Sequence, residues 1–295
     1  MTDQAHETVM ADDVLSQKED PGILSIMLNN RAIFWGGILL TLFTLIALFG
    51  PFFTADPGKL SPMTRLKSPS MAIWFGTDFL GRDIFARVIY GARISLAVGI
   101  AVAIISIFIG LFLGLVAGYV RALDAIIMRI MDGLMSIPAI LLAIALISLS
   151  GATLGTVIVA IVIPEIPRVV RLVRAVVLTV REEPYVEAAI AAGTKLPLIL
   201  FRHILPNTIA PLIVQATYVC ASAMLTESIL GFLGAGIPPE IPSWGNIMSE
   251  GRTYFQISPW IIFFPGIALA LTVLAVNIVG DGLRDTLDPR IARKM

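Results

Sequence analysis

Five stretches of this chain carry no charged residue, and each is long enough to cross a lipid bilayer. A helix rises about 1.5 Å per residue, so about 20 residues span a hydrocarbon core about 30 Å thick. The five stretches are residues 32–53, 94–120, 133–164, 207–226 and 253–280. Charged residues make up 14% of the chain, against about 25% in soluble proteins. The sequence therefore predicts an integral membrane protein.

The third stretch, at 32 residues, is long for one span and contains Gly151 and Gly155 near its middle. Dividing it predicts one helix over about 126–148 and another over about 152–174. The predicted fold class is thus an all-α polytopic membrane protein with six transmembrane helices. The second helix carries Gly110, Gly114 and Gly118 at four-residue spacing, which favours close packing against another helix.

The remaining polar regions set the predicted boundaries along the chain. Residues 1–30 hold six acidic residues and lack the basic start of a signal peptide, so the first apolar run is expected to remain as an anchor. The predicted divisions are a cytoplasmic polar tail at 1–30, transmembrane helix 1 at 31–53, an extracytoplasmic loop with an amphipathic segment at 54–92, a five-helix core at 93–280 and a cytoplasmic C-terminal tail at 281–295.

The distribution of Lys and Arg predicts the orientation in the membrane. With both termini in the cytoplasm, 14 basic residues lie on the cytoplasmic side and 7 on the other. Cytoplasmic loops are normally the more basic, so this arrangement is favoured. The six basic residues of 54–93 count against it.

Residues 181–206, REEPYVEAAIAAGTKLPLILFRHILP, interrupt the apolar runs with charges, prolines and a glycine. Pro184 favours a helix start and Gly193 a helix stop, and a second short helix is expected to end near Pro206. The segment is predicted to be a short helix-turn-helix. An amphipathic loop lying on the membrane surface is the alternative.

The order of residues within this segment carries a family resemblance. Glu187-Ala188-Ala189, then Gly193 four positions on, then Leu205-Pro206, resembles the EAA loop of membrane subunits in binding-protein-dependent ABC importers. In that family the loop is the cytoplasmic coupling helix, which docks into a cleft on the ATPase subunit. The resemblance implies this coupling role for six residues: Glu187, Ala188, Ala189, Gly193, Leu205 and Pro206.

A second pattern lies before the second apolar run. FGTD, Gly81-Arg82-Asp83, Gly91 and RISL at 93–96 resemble the corresponding stretch of dipeptide, oligopeptide and nickel permeases. Alternatively, the charges of this loop only anchor a solvated segment at the membrane interface.

Together these resemblances imply the type I importer permease fold and a DppC/OppC-like subunit in a bacterial inner membrane. The implied partners are a second homologous permease, two ATP-binding subunits, an extracytoplasmic substrate-binding protein and membrane lipid. The expected substrates are dipeptides, oligopeptides or a related small solute. An ATP-independent secondary transporter or channel is the alternative function.

The sequence contains no phosphate-binding loop of the form GxxxxGK[ST], so the chain is expected not to be an enzyme. No cofactor is expected, because ATP and Mg²⁺ would be used by the partner ATPases. His6, His203 and Cys220 lack the spacing of a metal site. Equal numbers of acidic and basic residues, 21 each, give no general attraction for nucleic acid.

Ionisable and polar groups within apolar runs are candidates for a transport role, because burying them in a membrane is costly. Glu227, expected near the outer end of the fifth helix, and Asn277 are possible translocation-path or structural residues. Glu165 is expected to pair with Arg168 three residues on. Arg168, Arg171 and Arg174 are interpreted chiefly as basic anchors at the cytoplasmic interface, with binding of phosphate or of a partner's acidic residues as the alternative.

Overall fold

The computed structural model describes residues 30–287, and within this range the chain is helical and contains no β-strand. The described range leaves out residues 1–29, which are nearly all of the predicted N-terminal tail, and residues 288–295, the last part of the predicted C-terminal tail. The helices are α1 (Arg31–Phe53), α2 (Ile84–Tyr119), α3 (Arg121–Met135), α4 (Ala139–Ser150), α5 (Leu154–Val180), α6 (Pro184–Ala191), α7 (Leu196–Phe232), α8 (Trp244–Gly251) and α9 (Trp260–Leu287).

Helix α1 occupies the range of the first predicted span and packs antiparallel to α9. Asn30 caps its first turn, with its side-chain oxygen accepting from the backbone nitrogen of Ala32 at 2.9 Å. A Cβ added at Gly36 would lie 2.8 Å from Ile278, and Gly282 packs in the same way on Ile33. Small residues near the start of α1 and the end of α9 therefore set the distance between the two helices there.

Helices α2 and α5 run parallel and in close contact. Gly114 faces Val173 and Gly118 faces Val177, and in each case an added Cβ would lie 2.6 Å from the valine. Gly110 makes the equivalent approach to Val169. The four-residue glycine spacing predicted such packing, and the matching register on α5 identifies the partner helix.

The prediction of one helix over 126–148 is wrong. The structure has two helices there, α3 and α4, which meet at an angle of 88°. Pro138 precedes α4 in an extended conformation, with φ −55° and ψ 127°. Because proline has no backbone N–H and disfavours helical geometry in the residue before it, the chain turns here.

Four helices, α1, α2, α7 and α9, are long and apolar enough to cross a membrane, and the bent pair α3–α4 would make a fifth. The predicted span at about 152–174, the fourth along the chain, corresponds to α5, which has 27 residues but carries Glu165 and three arginines. Among the described residues the number of sufficiently apolar helices is therefore four or five, and six is not reached on this criterion.

Several helices extend beyond the predicted bounds. Helix α2 begins at Ile84, ten residues before the uncharged run. Helix α9 continues to Leu287, so the first residues assigned to a C-terminal tail are helical. Charged residues at the water-facing ends of these helices do not interrupt the backbone hydrogen bonds. The length of an uncharged run is therefore shorter than the length of the helix that contains it.

The second short helix expected before Pro206 does not end there. Helix α7 continues from Leu196 to Phe232 through a π turn at Leu200–Ile204. The backbone nitrogen of Leu205 bonds to the carbonyl of Leu200, five residues back. This wider turn directly precedes Pro206, whose missing N–H would otherwise break the ladder, and the helix continues through it.

Candidate coupling and pathway sites

Helix α6 is a separate eight-residue helix between α5 and α7, and it holds the first half of the EAA pattern. Val186 is fully buried and joins the hydrophobic core together with Ile199 and Ile204. Glu187 and Ala188 are exposed on the other side, and Ala189 is half-buried. One apolar anchor therefore fixes α6 to the bundle and leaves the Glu187-Ala188 surface available for contact.

Gly193 ends α6 in the left-handed conformation, with φ +78°. The backbone nitrogen of Thr194 donates to the Ala189 carbonyl at 3.0 Å, and that of Gly193 donates to the Ile190 carbonyl at 2.9 Å. These two bonds form a Schellman motif, whose C′ position favours glycine. The helix stop predicted at Gly193 is confirmed, and its cause is backbone geometry, because no atom lies within 4 Å of a Cβ added there.

Apolar side chains surround the exposed face of this region. Phe201 is 71% exposed, Leu198 51% and Ile190 49%. Because soluble surfaces seldom expose neighbouring large apolar groups, such a set is typical of a protein contact. The region is suited to burial against a partner.

Leu205 and Pro206 lie in α7, just past the π turn, and are not part of a second helical hairpin. The next residue, Asn207, donates to the carbonyl of His203 at 2.6 Å and to the hydroxyl of Tyr185 on α6 at 3.3 Å. The ring of His203 lies 5.9 Å from that of Tyr185. The distal Leu-Pro pair is therefore linked to α6 through its neighbour Asn207.

At the N-terminal end of α2, a buried ion-pair cluster joins the loop before this helix to α8. Arg87 donates to Asp78 at 2.8 Å and to Glu250 at 2.5 Å, and Arg82 donates to the same two carboxylates at 2.5 Å each. Asp78 is fully buried and Arg87 is 1% exposed.

The interpretation of this loop as solvated charges is therefore wrong for Asp78, Arg82 and Arg87. Glu250 lies 163 residues from Arg87 along the chain. No local signal links it to the FGTD and GRD motifs, and only the fold brings the four groups together.

Glu227 is fully buried inside the chain, at the junction of α2, α7 and α8. Its Oε2 accepts from Ser95 of α2 at 3.1 Å, while its Oε1 has no hydrogen-bond partner among the described residues. Gly245 of α8 packs directly on the backbone of Ser228 beside it. Glu227 lies near the end of α7, as expected, but its side chain is packed inside the chain.

Asn277, the second pathway candidate, is exposed on α9. The adjacent residue, Ile278, packs on Gly36 of α1. The structure thus places Asn277 and Glu227 apart, one on the outside of the bundle and the other inside it.

The three arginines of α5 differ in their contacts. Arg174 makes a two-pronged pair with Asp124 of α3, at 2.5 and 2.7 Å, and Arg171 donates to Asp132 of α3 at 2.6 Å. Arg168 lies 3.6 Å from Glu165, the pairing that the sequence predicted. The interpretation of all three as lipid anchors omitted the acids of α3, which pair with two of them.

Residues 106–293 match the family described as "Binding-protein-dependent transport system inner membrane component". A relative from Sinorhizobium fredii, "Probable peptide ABC transporter permease protein y4tQ", is 56% identical over 272 residues, which are 92% of this chain and 94% of that protein.

Two further relatives extend the comparison to other bacteria. The "Dipeptide transport system permease protein DppC" of Alkalihalophilus pseudofirmus is 46% identical, covering 89% of this chain and 87% of its own length. The "Oligopeptide transport system permease protein OppC" of Bacillus subtilis is 38% identical, covering 90% and 88%.

Among solved structures, the fold is similar to a chain of the inward-facing MetNI methionine ABC transporter. The TM-score is 0.53 at 20% identity, over 68% of this chain and 96% of that one. At this identity the likeness concerns the fold alone.

Proposed function

We propose that this chain transports peptides and couples to its ATPases through α6 and residues 193–206. It belongs to the family of binding-protein-dependent transport system inner membrane components and is a permease subunit of an ABC importer. The peptide assignment rests on the relatives named as peptide, dipeptide and oligopeptide permeases. It is a multi-pass protein of the inner membrane.

The structure of α6 supports the coupling proposal. It is short, anchored by Val186, ended by a glycine-dependent stop and bordered by exposed apolar side chains. A rigid helix with one exposed face transmits movement of a docked partner to the bundle without unfolding. Tyr185 and Asn207 connect it directly to α7.

The proposed topology has six spans, with both termini and α6 in the cytoplasm. The parallel register of α2 and α5 supports it. If both helices cross the membrane in the same direction, the chain between them must cross once in the other direction. The bent pair α3–α4 then provides that crossing. The loop before α2 and helix α8 lie on the extracytoplasmic side in this arrangement.

The basic residues of the loop before α2 bear on this orientation. Six basic residues between positions 54 and 93 would oppose placing that loop outside. The bias counts Lys and Arg whether or not acids pair with them, so the orientation rests on the total of 14 basic residues on the cytoplasmic side against 7 on the other.

In the proposed complex, a second homologous permease completes the pathway, two ATP-binding subunits contact the α6 regions, and an extracytoplasmic protein delivers the solute. ATP and Mg²⁺ are bound by the partner subunits, and this chain holds no cofactor of its own. Closure of the ATPase pair moves α6 and switches the bundle between inward-facing and outward-facing states.

The coupling role is tested at Gly193 in the complex with its native partners. Gly193→Ala places a Cβ at φ +78°, which costs about 1–2 kcal/mol, whereas Gly193→Asn tolerates that conformation. We expect the alanine variant to lower solute-stimulated ATP hydrolysis and uptake together, and the asparagine variant to restore most of both.

Glu187→Ala, on the exposed face, is expected to weaken recovery of the ATPase with the permease. Full assembly, hydrolysis and uptake in both Gly193→Ala and Glu187→Ala would remove α6 from the coupling mechanism. Uptake by this chain alone under an ion gradient would support a secondary transporter instead.

A further inference from the structure

Arg168 is the one arginine of the α5 series whose guanidinium makes no hydrogen bond within residues 30–287. Arg171 and Arg174 are each hydrogen-bonded to an aspartate of α3. Arg168 instead lies 3.6 Å from Glu165 Oε2, too far for a hydrogen bond, and its side chain is 42% exposed. Five N–H donors of a guanidinium are therefore available at this position.

The surroundings hold Arg168 in a defined place. Its guanidinium carbon lies 5.8 Å from the ring centre of Tyr218 on α7, within cation–π range. Glu165 is 5% exposed, and its Oε1 accepts from Ser222 of α7 at 2.9 Å. Its Oε2 is buried without a hydrogen-bond partner among the described residues. The carboxylate is thus oriented by α7 with one oxygen towards Arg168.

The depth of this cluster constrains what can face it. Glu165 lies about 16 Å along α5 from Leu154, at 1.5 Å per residue, and fifteen residues follow it up to and including Val180. If α5 spans the membrane, Arg168 lies near its middle. An exposed guanidinium at that depth cannot face lipid at low cost and is expected to face water or protein.

A polar strip on α7 continues from this cluster towards the cytoplasmic end. Ser222, Tyr218, Gln215 and Asn207 follow one another at helical spacing along one face. Gln215 and Asn207 line a cleft of about 610 Å³, which Arg284 of α9 and Leu172 of α5 also border. Tyr218 lies three residues, less than one helical turn, from Gln215, so the cluster adjoins this cleft along α7.

From this arrangement we infer that Arg168, supported by Tyr218, contacts the solute in the translocation path and binds its carboxylate group. Glu165 and Ser222 are positioning residues that set the guanidinium direction. The negative charge of Glu165 keeps the attraction weak enough for the solute to leave. This inference rests on the proposed import function and assigns it a specific contact, the terminal carboxylate of a peptide.

The test uses the assembled complex in proteoliposomes, with Cys220→Ser removing the native cysteine and Val214→Cys providing a probe in the cleft wall. The rates of reaction of the introduced thiol at position 214 with an anionic and a cationic methanethiosulfonate reagent are compared. We expect the anionic reagent to react faster, and Arg168→Gln to reduce the anionic-to-cationic rate ratio about tenfold. Arg168→Lys is expected to retain most of the preference.

Peptide protection supplies the second readout. Trialanine, with a free carboxylate, is expected to slow labelling of the thiol at position 214, whereas trialanine amide is not. Arg168→Gln abolishes this difference, while Arg171→Gln, which removes a guanidinium already bonded to Asp132, changes it less than twofold. Glu165→Gln is expected to raise the anionic preference, because it removes the negative charge beside the guanidinium.

An unreactive thiol at position 214 in an ATP-hydrolysing complex would place this face against lipid or another subunit and overturn the inference. An unchanged rate ratio in Arg168→Gln would do the same. Failure of the ATPases to co-purify with the wild-type chain would instead contradict the proposed import function, so the two failures are distinguishable.

Discussion

The environment of Arg87 departs from what its sequence neighbourhood suggests. Its side chain is almost fully buried and shares two carboxylates with Arg82. Burying an ion pair brings little net stability, because each group loses its hydration. Removing one partner is far more costly, because an uncompensated charge is then left in the interior.

We therefore predict that Arg87→Leu lowers the free energy of unfolding by about 3–5 kcal/mol, because Asp78 and Glu250 are left with Arg82 alone. The measurement is thermal or denaturant unfolding of the purified subunit complex in detergent. A loss in this range would identify the cluster as the link between the outer loop and α8.

Arg171→Leu is the matched control, since it removes the same group from an exposed pair with Asp132. The side chains of that pair are 44% and 57% exposed. Its expected cost is about 0–1 kcal/mol. Equal losses in Arg171→Leu and Arg87→Leu would contradict the distinction between buried and surface pairs.

At the scale of elements, the pairing of α2 with α5 determines how the bent helices must be arranged. Glycine-valine contacts hold the two long helices parallel. Residues Arg121–Met135 and Ala139–Ser150 lie between them along the chain and bend by 88°. Connecting two parallel spans requires a single return crossing, and neither helix alone reaches the length of about 20 residues that this needs.

The substitutions Ala122→Cys and Ala152→Cys, introduced separately into a Cys220→Ser chain, test this crossing. We predict that a membrane-impermeant thiol reagent reaches position 122 only from the cytoplasmic face and position 152 only from the extracytoplasmic face. The opposite accessibility follows because the two positions lie at the two ends of the bent pair. Labelling of both from the same face would mean that α3–α4 enters and leaves the membrane without crossing.

For the molecule as a whole, sequence periodicity and spacing predicted the helical membrane fold and the helix stop at Gly193. These features depend on local properties: apolar length, helix capping and backbone conformation. The division at Gly151 and Gly155 matches the end of α4 at Ser150 and the start of α5 at Leu154, whereas the break before α4, which has a local cause in Pro138, was not predicted.

Other features required tertiary contacts that no local pattern contains. Glu250 reaches Arg87 across most of the chain, and Ser222 of α7 bonds to Glu165 of α5. Glu227 was expected near the outer end of its helix. It is buried there because α8 packs against α7 at the neighbouring Ser228. The EAA pattern located the coupling segment, while the continuity of α7 past Pro206 depends on a π turn that propensities do not predict.

In the proposed complex the exposed face of α6 contacts an ATPase subunit, and site-specific photo-crosslinking can detect this contact. A photoreactive amino acid at Ala188 in the native complex is predicted to give a crosslinked product with the ATP-binding subunit. The same group at Leu225, an exposed α7 position far from α6 along that helix, should not. Crosslinking of position 188 to lipid or to the extracytoplasmic binding protein, with none to the ATPase, would contradict the account.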